Sequence, residues 1–548
     1  MKYVSVEEMR NIDVQTDAVG GVSFAQLMEN AGRGVAEIIL NLPESVGSGN
    51  DIFALVGPGN NGGDALVTLA LLAAEGWGVS AYLFKRKDGD PLVARVEDAG
   101  GEILFAEEDE NFEQLKAFTA TSSFILDGLL GTGIKLPLRD SAADVPSVAD
   151  LLASVSEALQ LVEWEPYIIA IDCPSGVDSD TGEAAPETIP ADVTATMAAI
   201  KFGLLKLPAF EFCGDIAVVD IGVTDKVPDW VSIKNFVVDE NYVSALLPER
   251  PLDAHKGTFG TALITAGSVN YTGAALLAGK SAYRIGAGLV TLAVPSILHG
   301  ALAGAFVEPT WVLLPHKMGV ISADASAVLL ENLGRASALL IGPGLGMEET
   351  TREFIENLLN AKNGTKKKGG LGFVHEDERV KERTEAKLPP LVFDADGLKL
   401  LAQIENWHEL IPETAVLTPH PGEMAEITGL SVDEIQSNRL AIAREYAEKW
   451  GQVVVLKGAF TVIAAPNGET FTIPVANPAL ARAGSGDVLA GLIVGFRAQG
   501  LSAVESAIAG CWVHAQAGST AGEVIGTSAS VLASDILDFV PNVLVDLV

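Results

Sequence analysis

The sequence predicts an α/β protein of two domains, each built on a parallel sheet between two layers of helices. The chain has 548 residues, too many for one hydrophobic core, because single cores stop growing at roughly 250 to 300 residues. Its 48% of hydrophobic residues, 20% of charged residues and 56 glycines are typical of compact α/β domains and exclude a disordered chain. Short apolar runs alternate with helix-length segments, which indicates repeated βαβ units.

The first half of the chain contains five apolar runs of the length expected for buried parallel strands. Segments of helical length lie between them, for example residues 64–75 and 143–159. This alternation predicts a doubly wound, Rossmann-like sheet, in which ligands bind beyond the carboxyl ends of the strands. The predicted strands are DIFALVG (51–57), VSAYLF (79–84), FILDGLLG (124–131), YIIAIDCPSG (167–176) and DIAVVDIG (215–222).

A change in composition marks the start of the second domain. Residues 223–257 are rich in proline and charge, so we place the boundary between domains 1–229 and 230–548. Within the second domain, residues 361–390 carry blocks of opposite charge and little apolar periodicity, which predicts a flexible surface insertion. The predicted strands of this domain are TALITAG (261–267), LVTLAVP (289–295), ALLIGPG (338–344), PLVFDAD (390–396), AVLTPH (415–420) and QVVVLKG (452–458).

The net charge argues against nucleic acid and membranes as partners, and the cysteine content indicates the cellular location. With 36 basic and 72 acidic residues the net charge is −36, which opposes binding to nucleic acid or to an anionic membrane. A long stretch without charge, Gly257–Gly279, holds five glycines and several polar residues and is wrong for a membrane span. Three widely spaced cysteines, Cys173, Cys213 and Cys511, and an amino terminus without an export signal predict a cytoplasmic protein.

The strongest local signal is the segment AGSGD at Ala483–Asp487. Apolar residues follow it with helical spacing, so Gly486 and Asp487 are predicted at a helix amino terminus. Free N–H groups and the helix dipole stabilise phosphate there, and glycine lets a phosphate approach closely. An aspartate in this position is placed to accept a hydroxyl proton, so we predict that Asp487 is a catalytic base. The alternative is an ordinary Gly-Asp helix cap.

Other loops at predicted strand ends favour the functional interpretation. Lys457, Gly458 and Thr461 follow one strand and suit contacts with the phosphate and ribose of a nucleotide. The segment IGPGLG (341–346) follows a second strand, and LTPHPGE (417–423) ends a third. Several such loops in order predict a nucleotide site much more strongly than one.

The segments HKGTFG, TGAALLAGKSAYRIGAGLV, IGPGLG, LVFDADGL, LTPHPGEMAEITG, KGAFT and GSGDVLAGLIVGFRAQG together resemble the ribokinase-like superfamily, and specifically the NAD(P)H-hydrate dehydratase family. The resemblance covers about residues 250–548 and implies a ribokinase-like αβα fold. For one of the residues discussed next, His420, the alternative is a buried histidine with a purely structural role. Asp394 and Asp396 either contact Mg²⁺ or water, or they simply end a strand. The resemblance implies contacts with the hydrated nicotinamide at Ala274, Gly344, His420 and Asp487, and with the nucleotide at Lys457, Gly458, Ala459, Phe460, Thr461 and Gly486.

A glycine-rich segment in the first domain, GPGNNGGDALV (57–67), follows a predicted strand and opens a helix. Its glycines are predicted to form a turn whose amides face a bound phosphate. A purely structural turn is the alternative, but Asn60, Asn61 and Asp64 offer more polar groups than such a turn needs. The glycines in question are Gly57, Gly59, Gly62 and Gly63.

Two further strand ends in the first domain carry matching polar groups. Asp127 precedes a second glycine loop, and Asp172 and Ser175 belong to a third. Oxygen atoms of Asn61, Asp127 and Ser175 suit a hard monovalent cation. No set of histidines and cysteines indicates zinc.

The series NNGGD, LDGLLGTG and DCPSGVDSDTG resembles the NAD(P)H-hydrate epimerase family, over about residues 1–225. One departure is Ala65, where family members usually have glycine; its methyl group either narrows the pocket or is harmless. The resemblance implies a K⁺ site at Asn61, Asp127 and Ser175. It implies that the hydrate is bound by Asn60, Asn61, Gly62, Gly63, Asp64, Gly131, Thr132, Gly133, Ile134, Lys135, Leu136, Pro137 and Asp172.

Together the two resemblances imply a bifunctional repair enzyme for NADHX and NADPHX, the forms of NADH and NADPH that have gained water at C6 of the ring. The first domain would interconvert the R and S epimers, with Asp172 or Asp64 as proton carrier. The second would dehydrate the S epimer with Mg²⁺ and ADP, which becomes AMP and phosphate, or with ATP. We also expect a homo-oligomer.

Two other hypotheses remain open from the sequence. In one, the second domain is a kinase of a vitamin-like alcohol and the first is a nucleotide-binding regulatory module. In the other, the first domain only binds its ligand, because a Rossmann-like fold by itself does not establish catalysis.

Overall fold

A computed structural model describes residues 1–547 except 44, 48, 87–88, 139–146, 163, 362–387 and 412–413. Almost all of the predicted insertion 361–390 therefore lies outside the described residues. The chain forms two compact units, 1–235 and 236–548. The division falls a few residues after the predicted boundary, because Trp230 and Ile233 pack against the core of the first unit.

The first unit is a parallel sheet of seven strands in the order β4-β3-β2-β5-β6-β7-β9. Its elements are β1 (Tyr3–Val4), α1 (Val6–Gln15), α2 (Phe24–Leu40), β2 (Asp51–Val56), α3 (Asn60–Ala74), β3 (Gly78–Leu83), α4 (Pro91–Asp98), β4 (Glu102–Phe105), α5 (Glu113–Thr121), β5 (Phe124–Gly128), α6 (Val148–Leu159), β6 (Tyr167–Ile171), β7 (Val193–Met197), β8 (Ile200–Lys201), α7 (Phe210–Cys213), β9 (Asp215–Val219) and α8 (Pro228–Ser232).

Side chains of the central strand β2 alternate between the two faces of this sheet. Ile52, Ala54 and Val56 pack with helices α2 and α3 on one face, and Phe53 and Leu55 pack with α5 and α6 on the other. This arrangement is the three-layer αβα fold that the apolar runs predict. The strand order reverses between β2 and β5, and ligands bind at such a switch point in doubly wound sheets.

The second unit contains a ten-stranded sheet in the order β10-β21-β20-β19-β18-β17-β16-β11-β12-β13. Its elements are β10 (Asn235–Val237), α9 (Glu240–Ser244), β11 (Thr261–Thr265), α10 (Thr272–Arg284), β12 (Leu289–Pro295), α11 (His299–Ala305), β13 (Thr310–Leu314), β14 (His316–Lys317), β15 (Val320–Ile321), α12 (Ala325–Asn332), β16 (Ala338–Ile341), α13 (Glu349–Asn360), β17 (Leu391–Phe393), α14 (Asp396–Leu401), α15 (Trp407–Leu410), β18 (Val416–Leu417), α16 (Pro421–Thr428), α17 (Val432–Ser437), α18 (Arg439–Trp450), β19 (Val453–Leu456), β20 (Val462–Ala464), β21 (Thr470–Thr472), α19 (Ser485–Ala498), α20 (Ala503–Ile525) and α21 (Ala533–Leu547).

Strands β13 to β19 of this sheet are parallel, whereas β19, β20 and β21 pair antiparallel. The order reverses between β11 and β16, which creates a second switch point. Helices α10, α19, α20 and α21 cover one face and α12, α13, α16 and α18 the other. The predicted α/β class with two αβα domains is confirmed.

Every strand that was predicted from an apolar run is present, and most end before the polar or glycine residues at their carboxyl ends. Strands such as β7 were not predicted, because Thr194 and Thr196 interrupt its apolar pattern although both are fully buried. No helix among the described residues is both long and apolar enough to cross a membrane.

Candidate active sites

The first unit contains a cavity of about 600 Å³ whose walls include the loops after β2 and β5, on either side of the switch point. Asp13, Arg10 and Lys201 line it without having been predicted from the sequence. Of the predicted residues, Asn60, Asn61, Asp64, Gly131, Thr132, Gly133, Ile134 and Asp172 line the cavity, whereas Gly62, Gly63, Lys135, Leu136 and Pro137 are not among its lining residues.

The glycines after β2 do not all belong to the turn, contrary to the prediction. Helix α3 begins at Asn60 with Gly59 as its cap, so Gly62 and Gly63 lie in its first helical turns. Gly62 is needed for packing: a Cβ there would lie 2.1 Å from the carbonyl oxygen of Gly57. The helix starts earlier than predicted because Gly62 and Gly63 have no side chains, so the first turn of α3 can pack closely against the loop that precedes it.

A buried ion pair lies at the wall of this cavity. The ammonium of Lys201, which is 1% exposed, donates a hydrogen bond to Oδ1 of Asp172. It also donates to Oγ1 of Thr196 and to the carbonyl oxygen of Met197, each at 3.0 Å. Asp172 has a left-handed backbone with φ +65°, a conformation that costs a non-glycine residue about 1–3 kcal/mol and recurs at functional sites.

Two further carboxyl groups face the same ion pair. Burial, followed by repulsion from Asp172 and Asp13, raises the pKa of Asp64 well above its ordinary value. Burial likewise raises the pKa of Asp13 to about 6, although the nearby charge of Lys201 lowers it in part. The cavity therefore combines one lysine with three carboxyl groups, an arrangement that suits acid–base chemistry.

Two of the predicted cation ligands, Ser175 and Asp127, are hydrogen-bonded to each other, and Asn61 is linked to them through the backbone of Leu130. Oγ of Ser175 donates to Oδ1 of Asp127 at 2.5 Å, and Nδ2 of Asn61 donates to the carbonyl oxygens of Leu130 and Ile171 at 3.1 and 2.6 Å. Asp127 is 2% exposed, and burial raises the pKa of its carboxyl group above the ordinary value.

Ala65 does not narrow the cavity. Its side chain is fully buried, and it does not belong to the cavity lining. Instead, its Cβ faces Gly128 at the end of β5. A Cβ added to Gly128 would lie only 2.8 Å from it. Of the two alternatives for this methyl group, the structure favours the harmless one.

In the second unit, the loop after β16 approaches helix α10 closely. Gly342, Gly344 and Gly346 all have positive φ, so side chains would be strained there. A Cβ on Gly344 would lie 2.7 Å from Cβ of Tyr271 and 3.0 Å from Cβ of Ala274. The structure thus brings together Gly344 and Ala274, two of the predicted contacts of the hydrated nicotinamide.

The AGSGD segment forms a helix start, as predicted. Helix α19 has Gly484 as its cap, with φ +90°, and Asp487 lies in its first turn. A Cβ on Gly486 would lie 3.5 Å from Nζ of Lys457 and would clash with nothing. The space above Gly486 is therefore open in the folded chain, and it lies between the helix amino terminus and a lysine, both of which attract anions.

Lys457 contacts two carboxylates, Asp394 directly after β17 and Glu423 in the first turn of α16. Its Nζ lies 2.8 Å from Oδ1 of Asp394 and 3.6 Å from Oε2 of Glu423. Oγ1 of Thr418 donates to the same Oδ1 at 2.6 Å, whereas Oδ2 of Asp394 is buried without a partner among the described residues. The attraction of the two carboxylates outweighs burial and raises the pKa of Lys457, so the lysine stays charged.

Asp487 has the properties of a general base. Burial, and to a smaller extent repulsion from Asp394 and Asp396, raises its pKa to about 7, while Lys457 opposes this shift. A carboxyl group with a pKa near neutrality exchanges protons efficiently.

His420 is not a buried structural histidine. Its side chain is 52% exposed, and its Nδ1 accepts hydrogen bonds from the backbone N–H groups of Gly422 and Glu423. His420 caps helix α16, and Glu423 in turn accepts a hydrogen bond from the N–H of His420. Its Nε2 also lies 3.4 Å from Oε1 of Glu423. The exposed part of the ring can contact a ligand, and the cap fixes its orientation.

The remaining predicted nucleotide contacts lie in the loop after β19. Gly458 and Phe460 have positive φ, and Oγ1 of Thr461 donates to the carbonyl oxygen of Gly458 at 2.9 Å. Gly458 and Ala459 are exposed. Glu423 is a site residue that the sequence interpretation missed, although its position in TPHPGE at a strand end was a usable signal.

The fold and these sites are those of a two-domain α/β enzyme, with a cavity lined by carboxyl groups and a lysine in one unit and a helix start beside a partly buried lysine in the other. The family model for NAD(P)H-hydrate dehydratase matches residues 262–365 and 369–542. The model for the YjeF-related protein amino terminus matches residues 24–203.

Curated relatives match along the whole chain. The bifunctional NAD(P)H-hydrate repair enzyme of Moorella thermoacetica is 34% identical, with 99% of this chain and 97% of its own length covered. The enzyme of that name from Salinibacter ruber is 35% identical, with 98% and 94% covered. A solved ADP/ATP-dependent NAD(P)H-hydrate dehydratase from Bacillus subtilis is 29% identical over 57% of this chain and 99% of its own, with a TM-score of 0.46.

This chain belongs to the family of bifunctional NAD(P)H-hydrate repair enzymes. The predicted pairing of an epimerase domain with a dehydratase domain is confirmed, and the alternative of a vitamin-like alcohol kinase is not favoured.

Proposed function

We propose that the first unit interconverts the R and S epimers of NADHX and NADPHX, and that the second dehydrates the S epimer at the expense of ADP, which becomes AMP and phosphate. The dehydratase assignment rests on the position of Asp487. It lies in the first turn of α19, beside an open space at Gly486, and has a pKa of about 7.

Dehydration is difficult because hydroxide is a poor leaving group. In the proposed reaction, Asp487 takes the proton of the C6 hydroxyl while the oxygen attacks the terminal phosphoryl group of ADP, and the bond between that group and the departing AMP breaks. Backbone N–H groups at Gly484–Gly486 stabilise the charge on that phosphoryl group. Phosphate then leaves from C6 with its bonding electrons, a proton is lost from C5, and the dihydropyridine ring is restored.

The residues at the strand ends of the second unit are proposed to bind the hydrated nicotinamide and the nucleotide. The proposed contacts of the hydrated ring are Ala274, Gly344 and the exposed ring of His420. The nucleotide would lie along the loop after β19, where Gly458 and Ala459 are exposed. The loop contacts proposed for it are Lys457, Gly458, Ala459, Phe460 and Thr461, together with Gly486.

A magnesium ion that accompanies the nucleotide fits this site. Protein-bound Mg²⁺ in nucleotide enzymes is held mainly by phosphates and by one or two carboxylates. Asp394 would hold it, because its Oδ2 is buried and has no partner among the described residues. The ion would neutralise phosphate charge.

Potassium fits the epimerase unit. Asp127 has a buried carboxyl group that accepts a hydrogen bond from Ser175, and the Asn61 amide contacts the adjacent backbone at Leu130. Carboxylate, hydroxyl, amide and carbonyl oxygens are ligands for hard cations. The ion would fix the loops that form the cavity wall. Epimerase activity measured in potassium chloride and in choline chloride of equal ionic strength should differ in the wild type, and the difference should disappear in Ser175→Ala.

The central experiment uses pure epimers and the Asp487→Asn variant. Wild-type protein with S-NADHX and ADP, or ATP, should restore the absorbance of reduced nicotinamide, and without nucleotide it should convert pure R epimer into the R/S mixture. Asp487→Asn should lose the first activity and keep the second. A variant with full dehydratase turnover would refute the assignment of Asp487, and wild-type protein inactive with both nucleotides would refute the dehydratase.

We also propose a cytoplasmic homo-oligomer. All three cysteines are free and buried, which supports a reducing location, and exposed apolar side chains such as Met318 and Val307 support self-association. Light scattering coupled to size-exclusion chromatography measures the oligomeric state.

A further inference from the structure

The cavity of the first unit holds a carboxyl group, Asp13, to which neither the family model nor the motifs assign a role. Asp13 lies on α1, before the first residue matched by the model, residue 24. It lines the cavity together with Asp172. Its Oδ1 is buried and has no hydrogen-bond partner among the residues that the structure describes. A buried carboxyl oxygen without a partner is costly and is retained mainly where it has a function.

Lys201 donates no hydrogen bond to Asp13, because its three donors are already used. An ammonium group has three N–H donors, and the three acceptors of Lys201 are Asp172, Thr196 and Met197. The ion pair thus holds the Asp172 side chain in one position. Oδ1 of Asp172 also accepts from the N–H of Met197 and from Oγ1 of Thr196, so the residue is held rigidly at the cavity wall.

The third carboxyl group, Asp64, has a different character. Its pKa lies well above the ordinary value, with burial as the largest cause and repulsion from Asp172 and Asp13 next. Asp13, with a pKa raised by burial to about 6, exchanges its proton near neutrality. The charged and titratable groups around Asp13 are Asp64 on α3, Asp172 after β6, Lys201 on β8 and Arg10 on α1.

We propose that Asp13 is the second proton carrier of the epimerase and acts opposite Asp172, with Lys201 as the positioning residue of Asp172. This assignment rests on the proposed epimerase function. The carboxylate of Asp172 takes the proton of the C6 hydroxyl, C6=O forms, and the C6–N1 bond breaks with its electron pair moving to N1. Asp13 gives its proton to N1. Rotation about the C5–C6 bond presents the other face of the carbonyl, and the reverse transfers close the ring with no net gain or loss of protons.

The test measures conversion of pure R-NADHX into the R/S mixture by chromatography, with full-length protein and no nucleotide, as a function of pH. Asp13→Asn should lower kcat by about 10²- to 10⁴-fold, the usual contribution of one acid–base group, with KM little changed. The wild-type inflection near pH 6 should disappear, and Asp13→Glu should recover part of the rate. Glu7→Gln removes an exposed carboxylate from the same helix and should behave as wild type.

Three outcomes of this test would overturn the assignment of Asp13 as a proton carrier. Wild-type kcat and an unchanged pH profile in Asp13→Asn would overturn the assignment, and so would parallel losses of kcat and substrate binding, which indicate a structural role. If the wild type itself leaves the R epimer unchanged beyond the buffer control, the epimerase function fails and this assignment fails with it. Dehydration of S-NADHX with ADP by each variant verifies that the second unit is intact.

Discussion

Nζ of Lys457 lies 2.8 Å from Oδ1 of Asp394, although the two residues are 63 positions apart in the chain. Glu423 lies on the other side of the same ammonium group, so one lysine compensates two nearly fully buried carboxylates. Such a group is stable only when it is complete, because an unpaired buried charge is costly.

The first prediction concerns this group. Lys457→Met should reduce the free energy of unfolding of the second unit by about 3–5 kcal/mol, the usual cost of breaking a buried ion pair. Denaturant unfolding followed by tryptophan fluorescence measures the change, and Lys449→Met, on α18, serves as a control that should change little. Equal stability of the Lys457 variant and the control would contradict the prediction.

The second prediction is the pH dependence of dehydration. Because Asp487 must be ionised to accept a proton and its pKa is about 7, kcat/KM for the S epimer should rise about tenfold per pH unit below pH 7 and level off above it. A rate independent of pH between 5 and 8, with the protein folded throughout, would rule out Asp487 as the base.

The same raised pKa affects stability. Between the ordinary value of 3.8 and about 7, the folded state holds a proton on Asp487 that the unfolded state has released, so the unfolding free energy falls as pH rises through this window. At pH 8, Asp487→Asn should therefore be more stable than wild type, by at most about 4 kcal/mol. Thermal unfolding at pH 5 and pH 8 measures the difference, which should be smaller at pH 5.

The fourth prediction separates binding from folding at the helix start. Because a Cβ on Gly486 would meet no atom closer than 3.5 Å, Gly486→Ala should fold normally. The methyl group would occupy the proposed position of the phosphate, so KM for ADP should rise while epimerisation is unaffected. Gly300→Ala, another helical glycine with open space around it, is the control; equal KM values in both variants would argue against a phosphate at Gly486.

The fifth prediction concerns Ala65, whose methyl group contacts β5 and not the cavity. Ala65→Gly should cost about 1 kcal/mol through the lower helix propensity of glycine and leave KM for the R epimer unchanged. Gly131→Ala provides the contrast, because its Cβ would lie 2.5 Å from Oδ1 of Asn61 and should impair epimerisation. A lower KM in Ala65→Gly would mean that the methyl group does restrict the pocket.

The sequence by itself determined the two α/β units, the loops at their strand ends and the position of Asp487 at a helix start. These features depend on apolar periodicity and on glycine spacing, which are local properties of the chain. The exact extent of the glycine turn at Gly62 and Gly63 was mispredicted, because the tight packing of α3 against Gly57 leaves no signature in the local pattern.

Only the tertiary structure decided which charged groups meet. Asp13 approaches Asp172 and Lys201, and Lys457 meets Asp394 and Glu423, across separations that no local pattern encodes. The pKa values of Asp13 and Asp487, and hence their charges, depend on burial and on charged residues from distant parts of the chain. The sequence therefore indicated the candidate sites, and the folded arrangement of the strands sets the chemistry that we propose for them.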